Sequence, residues 1–113
     1  MHELSIALSI LDVAAEEAEK RGVEIEAIHL KLGPLSGVIR EALQNAFELA
    51  RESSPLSDCR LEIEPTKILV YCPACDAERE PVSIQEMCCS VCGTPTPKVL
   101  AGRELLVTAL EVR

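Results

Sequence analysis

Residues 72–93 read CPACDAEREPVSIQEMCCSVCG, two Cys-x-x-Cys pairs, Cys72/Cys75 and Cys89/Cys92, with thirteen residues between them. Each pair makes a tight turn that aims two thiolates at one point. Two such turns supply the four sulfurs of a closed tetrahedral site of the structural-zinc kind. Spacing alone does not separate zinc from the iron of an S4 site. Redox dithiols or disulfides are the rival reading, but CxxC redox sites accompany a βαβ pattern, which this stretch lacks. Cys88 adjoins Cys89 and would give an x3 spacing to Cys92; Gly93, directly after Cys92, favours Cys89 as the ligand. With four cysteine ligands no coordination position stays open for a substrate, so catalysis at this metal is not expected.

The same stretch sets the domain organisation. Residues 68–102 hold five of the six cysteines and four of the seven prolines and show no helix-length pattern, so they read as an inserted module. A module of this size cannot bury enough apolar surface to fold alone. Metal ligation supplies what the core lacks, apparent zinc binding energies in small finger peptides being roughly 10–16 kcal/mol. After the insert the chain returns to a patterned strand, ELLVTALEV at 104–112, which is expected to rejoin the sheet begun earlier. The expected domains are therefore 1–67 completed by 103–113, and 68–102 inserted.

Outward from there, Leu4, Leu8, Leu11, Ala15 and Ala18 recur at helical spacing and Gly22 supplies a stop, predicting a helix over 4–21. Ile6, Ile10 and Val13 form a second apolar row that widens its buried face. In IEAIHLKLG, Ile28, Leu30 and Leu32 alternate with His29 and Lys31, the period-two pattern of a half-buried strand that Gly33-Pro34 ends. A second helix is predicted over 38–52, with Ile39, Ala42, Leu43, Ala46 and Ala50 on one face. RLEIEPT is a short strand with Leu61 and Ile63 inward; Cys59, in phase with them, reads as core, and Pro65 marks the strand's end. The expected fold class is α+β: a small three-stranded sheet covered by two helices, discontinuous in sequence, with an inserted four-cysteine, zinc-ribbon-like module.

Composition narrows the function. Phe47 and Tyr71 are the only aromatic residues and the formal net charge is −8. Base stacking and phosphate binding have no sequence basis in such a chain, and nucleic-acid partners are not expected. No signal-peptide pattern and no long apolar run is visible, so the expectation is a cytoplasmic protein away from the membrane, in a reducing compartment where cysteines serve metal binding. No serine, cysteine or histidine arrangement supports a nucleophile and base, and no enzymatic turnover is expected.

The chain begins Met1-His2-Glu3, placing one of only two histidines at position two. There a metal can take the Met1 α-amine, a deprotonated His2 backbone nitrogen and the His2 imidazole, three nitrogens in a plane with the fourth place open. Such coordination suits Ni(II) or Cu(II). Glu3, another protein group or water can fill the fourth place, and an open position gives a departing metal a route to its next ligand. His29, on the outer face of its strand, reads as a solvated residue.

MHE at the start, LGPLSGV at Leu32–Val38, AFE at Ala46–Glu48, LEIE at Leu61–Glu64, the paired knuckles and GRELLVTALEV at Gly102–Val112 together resemble the hydrogenase maturation nickel metallochaperone family, HypA/HybF. The resemblance spans nearly the whole chain in order. It implies a nickel-binding domain with a zinc-binding domain inserted before its last strand. It also implies nickel ligation by His2, with Glu3 and backbone nitrogens contributing, and zinc ligation by Cys72, Cys75, Cys89 and Cys92. The implied partners are a GTP-hydrolysing protein of the HypB kind and the [NiFe]-hydrogenase large subunit, with urease maturation served by some members; a monomer or weak dimer is expected. Some relatives carry histidines beside the zinc knuckles. This insert has none, so behaviour depending on them is not carried over.

Overall fold

A computed structural model describes residues 2–113; the proposed Met1 α-amine ligand lies outside the described residues. In chain order the elements are α1 (Glu3–Arg21), β1 (Ile25–Leu32), α2 (Arg40–Arg51), β2 (Arg60–Pro65), β3 (Leu69–Cys72), β4 (Ala77–Arg79), β5 (Val99–Ala101) and β6 (Leu105–Val112). They form two compact units, one of residues 1–31, 38–64 and 106–113, the other of 32–37 and 65–105.

In the first unit a three-stranded sheet in the order β2-β1-β6 carries α1 and α2, which pack on each other. Arg60 meets Glu26 and Lys31 meets Glu64, so β2 runs alongside β1 in the same direction, a pairing that the intervening α2 crossover makes possible. Arg113 N–H donates to Glu24 O at 2.9 Å and Thr108 Oγ1 lies 3.3 Å from His29 O, which makes β6 antiparallel to β1. The polypeptide thus leaves this sheet after β2 and returns to its other edge as β6.

Helix α1 stops where the sequence predicts. Gly22 adopts φ 63°, a left-handed conformation that costs glycine little, and its N–H meets the Ala18 and Glu19 carbonyls. Of the residues expected inside, Ile10, Leu11 and Ala18 are buried and Ile6 and Ala15 partly so, with Ala7 and Ala14 added, whereas Leu4, Leu8 and Val13 are about half exposed. Apolar residues run nearly all round this helix, so periodicity alone does not choose a face. Tertiary packing does, and three of the five residues it buries are alanines. Helix α2 buries Leu43, Phe47 and Ala50; Ile39, expected on its inner face, is the extended residue before the helix and is 64% exposed. Strand β1 is central and buries Ile28, Leu30 and Leu32 together with Ile25 and Ala27. Cys59 is wholly buried in the same core.

The second unit is built on a smaller antiparallel sheet, β4-β3-β5, in which Cys72 pairs with Ala77 and Val70 with Arg79. Among its described residues the fully buried side chains of any size are Val70, Cys72, Cys89 and Thr96. Two of these four are thiols and one is a hydroxyl, so with the buried Leu32 the apolar core amounts to little more than two side chains.

The loop at residues 32–37, which the sequence reading leaves with the first domain, groups with this second unit. Backbone bonding explains it: Gly33 N–H donates to Glu104 O at 2.8 Å and Leu35 N–H to Gly102 O at 2.7 Å. The Glu104 carboxylate in turn accepts from Thr66 Oγ1 at 2.7 Å and Gly102 N–H at 3.0 Å. The approach is so close that a Cβ on Gly33 would lie 2.1 Å from the Gly102 carbonyl oxygen. Backbone cannot yield as a side-chain tip can, so Gly33→Ala is expected to destabilise by about 1–3 kcal/mol, the usual range for overpacking. Thermal unfolding would register this as a melting point several degrees lower; an unchanged melting point would contradict the close contact.

Candidate metal centre

The first knuckle starts where β3 ends. Cys72 is the last residue of that strand, Pro73 and Ala74 make the turn, and Cys75 N–H points back to Cys72 Sγ at 3.4 Å. Asp76 takes φ 51° to swing the chain into β4, and its carboxylate accepts the Tyr71 hydroxyl. The second knuckle repeats the device. Val91 N–H approaches Cys89 Sγ at 3.4 Å, Gly93 takes φ 77°, and Gly93 N–H donates to Cys89 O at 2.9 Å. In each turn a backbone amide serves a sulfur, an arrangement that favours thiolate over thiol.

The four sulfurs of Cys72, Cys75, Cys89 and Cys92 all lie within 4.8 Å of one another. Cys72 and Cys92 are 3.5 Å apart and Cys75 and Cys89 4.0 Å apart. A tetrahedron with Zn–S bonds of about 2.3 Å has S···S edges of about 3.8 Å, so the quartet fits a zinc-sized ion. Cys88 is outside the group. It sits in an isolated bridge with Pro95 while Cys89 bridges Pro81, and neighbouring extended residues face opposite ways.

The electrostatics of the quartet favour a cation. The Thr94 hydroxyl and backbone, followed by Cys72, draw the Cys92 thiol down to about 6; Cys92 Sγ is 3.2 Å from Thr94 Oγ1. Burial pushes Cys89 up, but the amides of Cys92 and Val91 outweigh it and bring this thiol below its ordinary range. Cys75, hydrogen-bonded by Cys92 and Cys72, is pushed up to about 11. The second knuckle thus holds negative charge at neutral pH, and Cys75 keeps a proton that a metal would displace.

Sequence reasoning overlooked Arg79, at the end of β4. Its guanidinium interacts first with Cys75 and then with Cys89, while its Nε is buried with no hydrogen-bond partner. A lone cation four residues after a CxxC turn was the only available signal.

At the other candidate site, His2 caps α1. Its carbonyl accepts the Ile6 N–H at 3.2 Å, its imidazole is exposed, and Glu3, half-buried, is the acidic residue of the first turn. The first N–H groups of a helix have no intrahelical acceptor, so the His2 amide is not held by the helix ladder. The positive end of the helix dipole also favours loss of an amide proton there. Among the described residues, no group of three or more His, Cys, Asp or Glu ligands other than the cysteine quartet comes together. His29 lies on the outer sheet face, with Nε2 3.4 Å from a Glu111 oxygen.

An α+β chain with a four-thiol centre has the form of a small metal-binding protein. A family profile described as hydrogenase/urease nickel incorporation, metallochaperone, hypA, matches residues 1–112. Hydrogenase maturation factor HypA of Chloroflexus aurantiacus is 41% identical over 112 residues, covering 98% of both chains. The protein of that name from Thermomicrobium roseum is 38% identical, covering 100% of this chain and 98% of its own. In three dimensions the chain is similar to the Ni metallochaperone HypA from Helicobacter pylori, with a TM-score of 0.67 at 27% identity over 99% of this chain and 97% of that one. The chain belongs to the HypA family of nickel-incorporation metallochaperones. It is a maturation factor and not an enzyme. No helix among the described residues is long and apolar enough to cross a membrane.

Proposed function

We propose that this protein binds Ni(II) through the Met1 α-amine, the His2 amide and imidazole nitrogens and Glu3, and hands it to the large subunit of a [NiFe]-hydrogenase. The observation that carries the reading is an exposed His2 imidazole at the cap of a 19-residue helix whose leading amides are unused by the ladder. The helix fixes one end of the chelate; the fourth position, held only by the Glu3 carboxylate, exchanges most readily and lets an acceptor's ligand attach before the last donor nitrogen lets go. A GTP-hydrolysing partner of the HypB kind supplies or gates the metal, and the same chemistry serves urease. The cysteine quartet holds structural Zn(II), which folds the second unit into a docking module. The setting is cytoplasmic, with the chain a monomer or weak dimer.

The test is hydrogenase activation in cells that lack their own copy of this factor. Wild-type chain should restore activity at trace nickel, and His2→Ala should not, with excess nickel salt restoring it. Full restoration by His2→Ala at trace nickel would exclude the terminus as the delivery site.

A further inference from the structure

We propose that Arg79 is a positioning residue for the four-cysteine centre, a fixed cation whose guanidinium holds Cys75 and offsets the charge of the metal-bound thiolates. The inference rests on the reading of the quartet as a zinc site.

Four thiolates around Zn(II) leave two net negative charges. Such a charge is costly in a partly buried site unless a compensating group stands beside it. In this chain, itself formally −8, distant charges do not compensate. Arg79 is placed for it by register: its Cα pairs with Val70, two residues before the ligand Cys72 on the adjacent strand. Nη1 donates to the Glu78 carbonyl at 3.2 Å and so orients the plane. Nε, by contrast, is a buried donor with no partner, a state proteins rarely leave uncompensated. The register puts Arg79 on the same sheet face as Cys72, and its strongest electrostatic interactions are with Cys75 and then Cys89, one from each knuckle. Filling the quartet places full thiolate charge on those sulfurs, which gives the orphaned N–H an acceptor. Arg79 thereby ties both knuckles together and lowers the electron density on Cys75.

Zinc release to a colorimetric chelator at fixed pH, about 7.5, tests this on the full chain, with Co(II)-substituted protein as a spectroscopic check. Arg79→Met should release zinc about tenfold faster or more, the effect expected of losing a group that orients a metal ligand. Cys75 should become the first residue alkylated by iodoacetamide, and the sulfur-to-cobalt charge-transfer band should move to lower energy. Arg79→Lys keeps the charge and should retain most of the wild-type behaviour in all three readouts. Wild-type release, alkylation order and band position in Arg79→Met would overturn the proposal, as would Arg79→Lys failing as badly as Arg79→Met. If Arg79→Met does not fold, Arg79→Lys decides by the same criteria. Failure of the underlying zinc reading would look different: Cys75→Ser would bind zinc as wild type does.

Discussion

Removing zinc should unfold residues 65–105 while leaving the helical unit standing. The two units have unequal means of folding. The first has a continuous core from Ala7 and Leu11 through Ile28 and Leu30 to Leu43 and Phe47. The second has Leu32, Val70, Thr96 and two buried thiols. Its strands are three or four residues long, too short to stand without help. Binding energies of roughly 10–16 kcal/mol for structural zinc exceed anything such a core can supply. On chelation, trypsin should therefore cut rapidly at Arg79 and Lys98, while the far-UV helical signal of α1 and α2 persists. Acid should act in the same direction. Protons compete with the metal for all four thiolates, so zinc retention should fall as pH is lowered. Chelation that leaves Arg79 and Lys98 protected would mean the second unit folds by other means.

Replacing His2 by alanine should abolish the tight nickel site and leave zinc content unchanged. The imidazole is the one strong side-chain nitrogen donor at the terminus. Changes to groups that merely orient a metal ligand cost roughly 10–100-fold in affinity, so loss of a direct ligand should cost more than about a hundredfold. Affinity should also fall as pH drops from about 7.5 to 5.5, because protons compete for the same nitrogens. The helix itself should survive, since alanine leaves intact the backbone carbonyl of residue 2 that receives the Ile6 N–H.

What the sequence discloses depends on which force makes each element. Helix α1 ends at a glycine that needs a left-handed backbone, and β1 alternates because one face meets the helices; both are local and readable. The face that α1 buries is set by what packs on it, a tertiary condition invisible in an apolar run containing Leu4, Leu8 and Val13. Strand β6 shows the same limit: its pattern marks a strand, but as a sheet edge it leaves Leu106 and Val112 half exposed. The short strands β3, β4 and β5 carry no apolar period of their own, being set by the metal knuckles and the ladder. Spacing nominates the four thiols of the quartet and the bridges at Pro81 and Pro95 set Cys88 apart from them, while Arg79 reaches the sulfurs only through the register of β4 on β3.

Nickel binding at the chain terminus is the central claim, and calorimetric Ni(II) titration addresses it most directly. Untagged, zinc-loaded protein is compared with a form extended by a few residues before Met1, with His2 retained. Extension moves the α-amine away while sparing the imidazole, so the expected result is loss of the tight site as complete as in His2→Ala. Tight nickel binding that survives both changes would contradict the claim and place the metal at His29 or the cysteines.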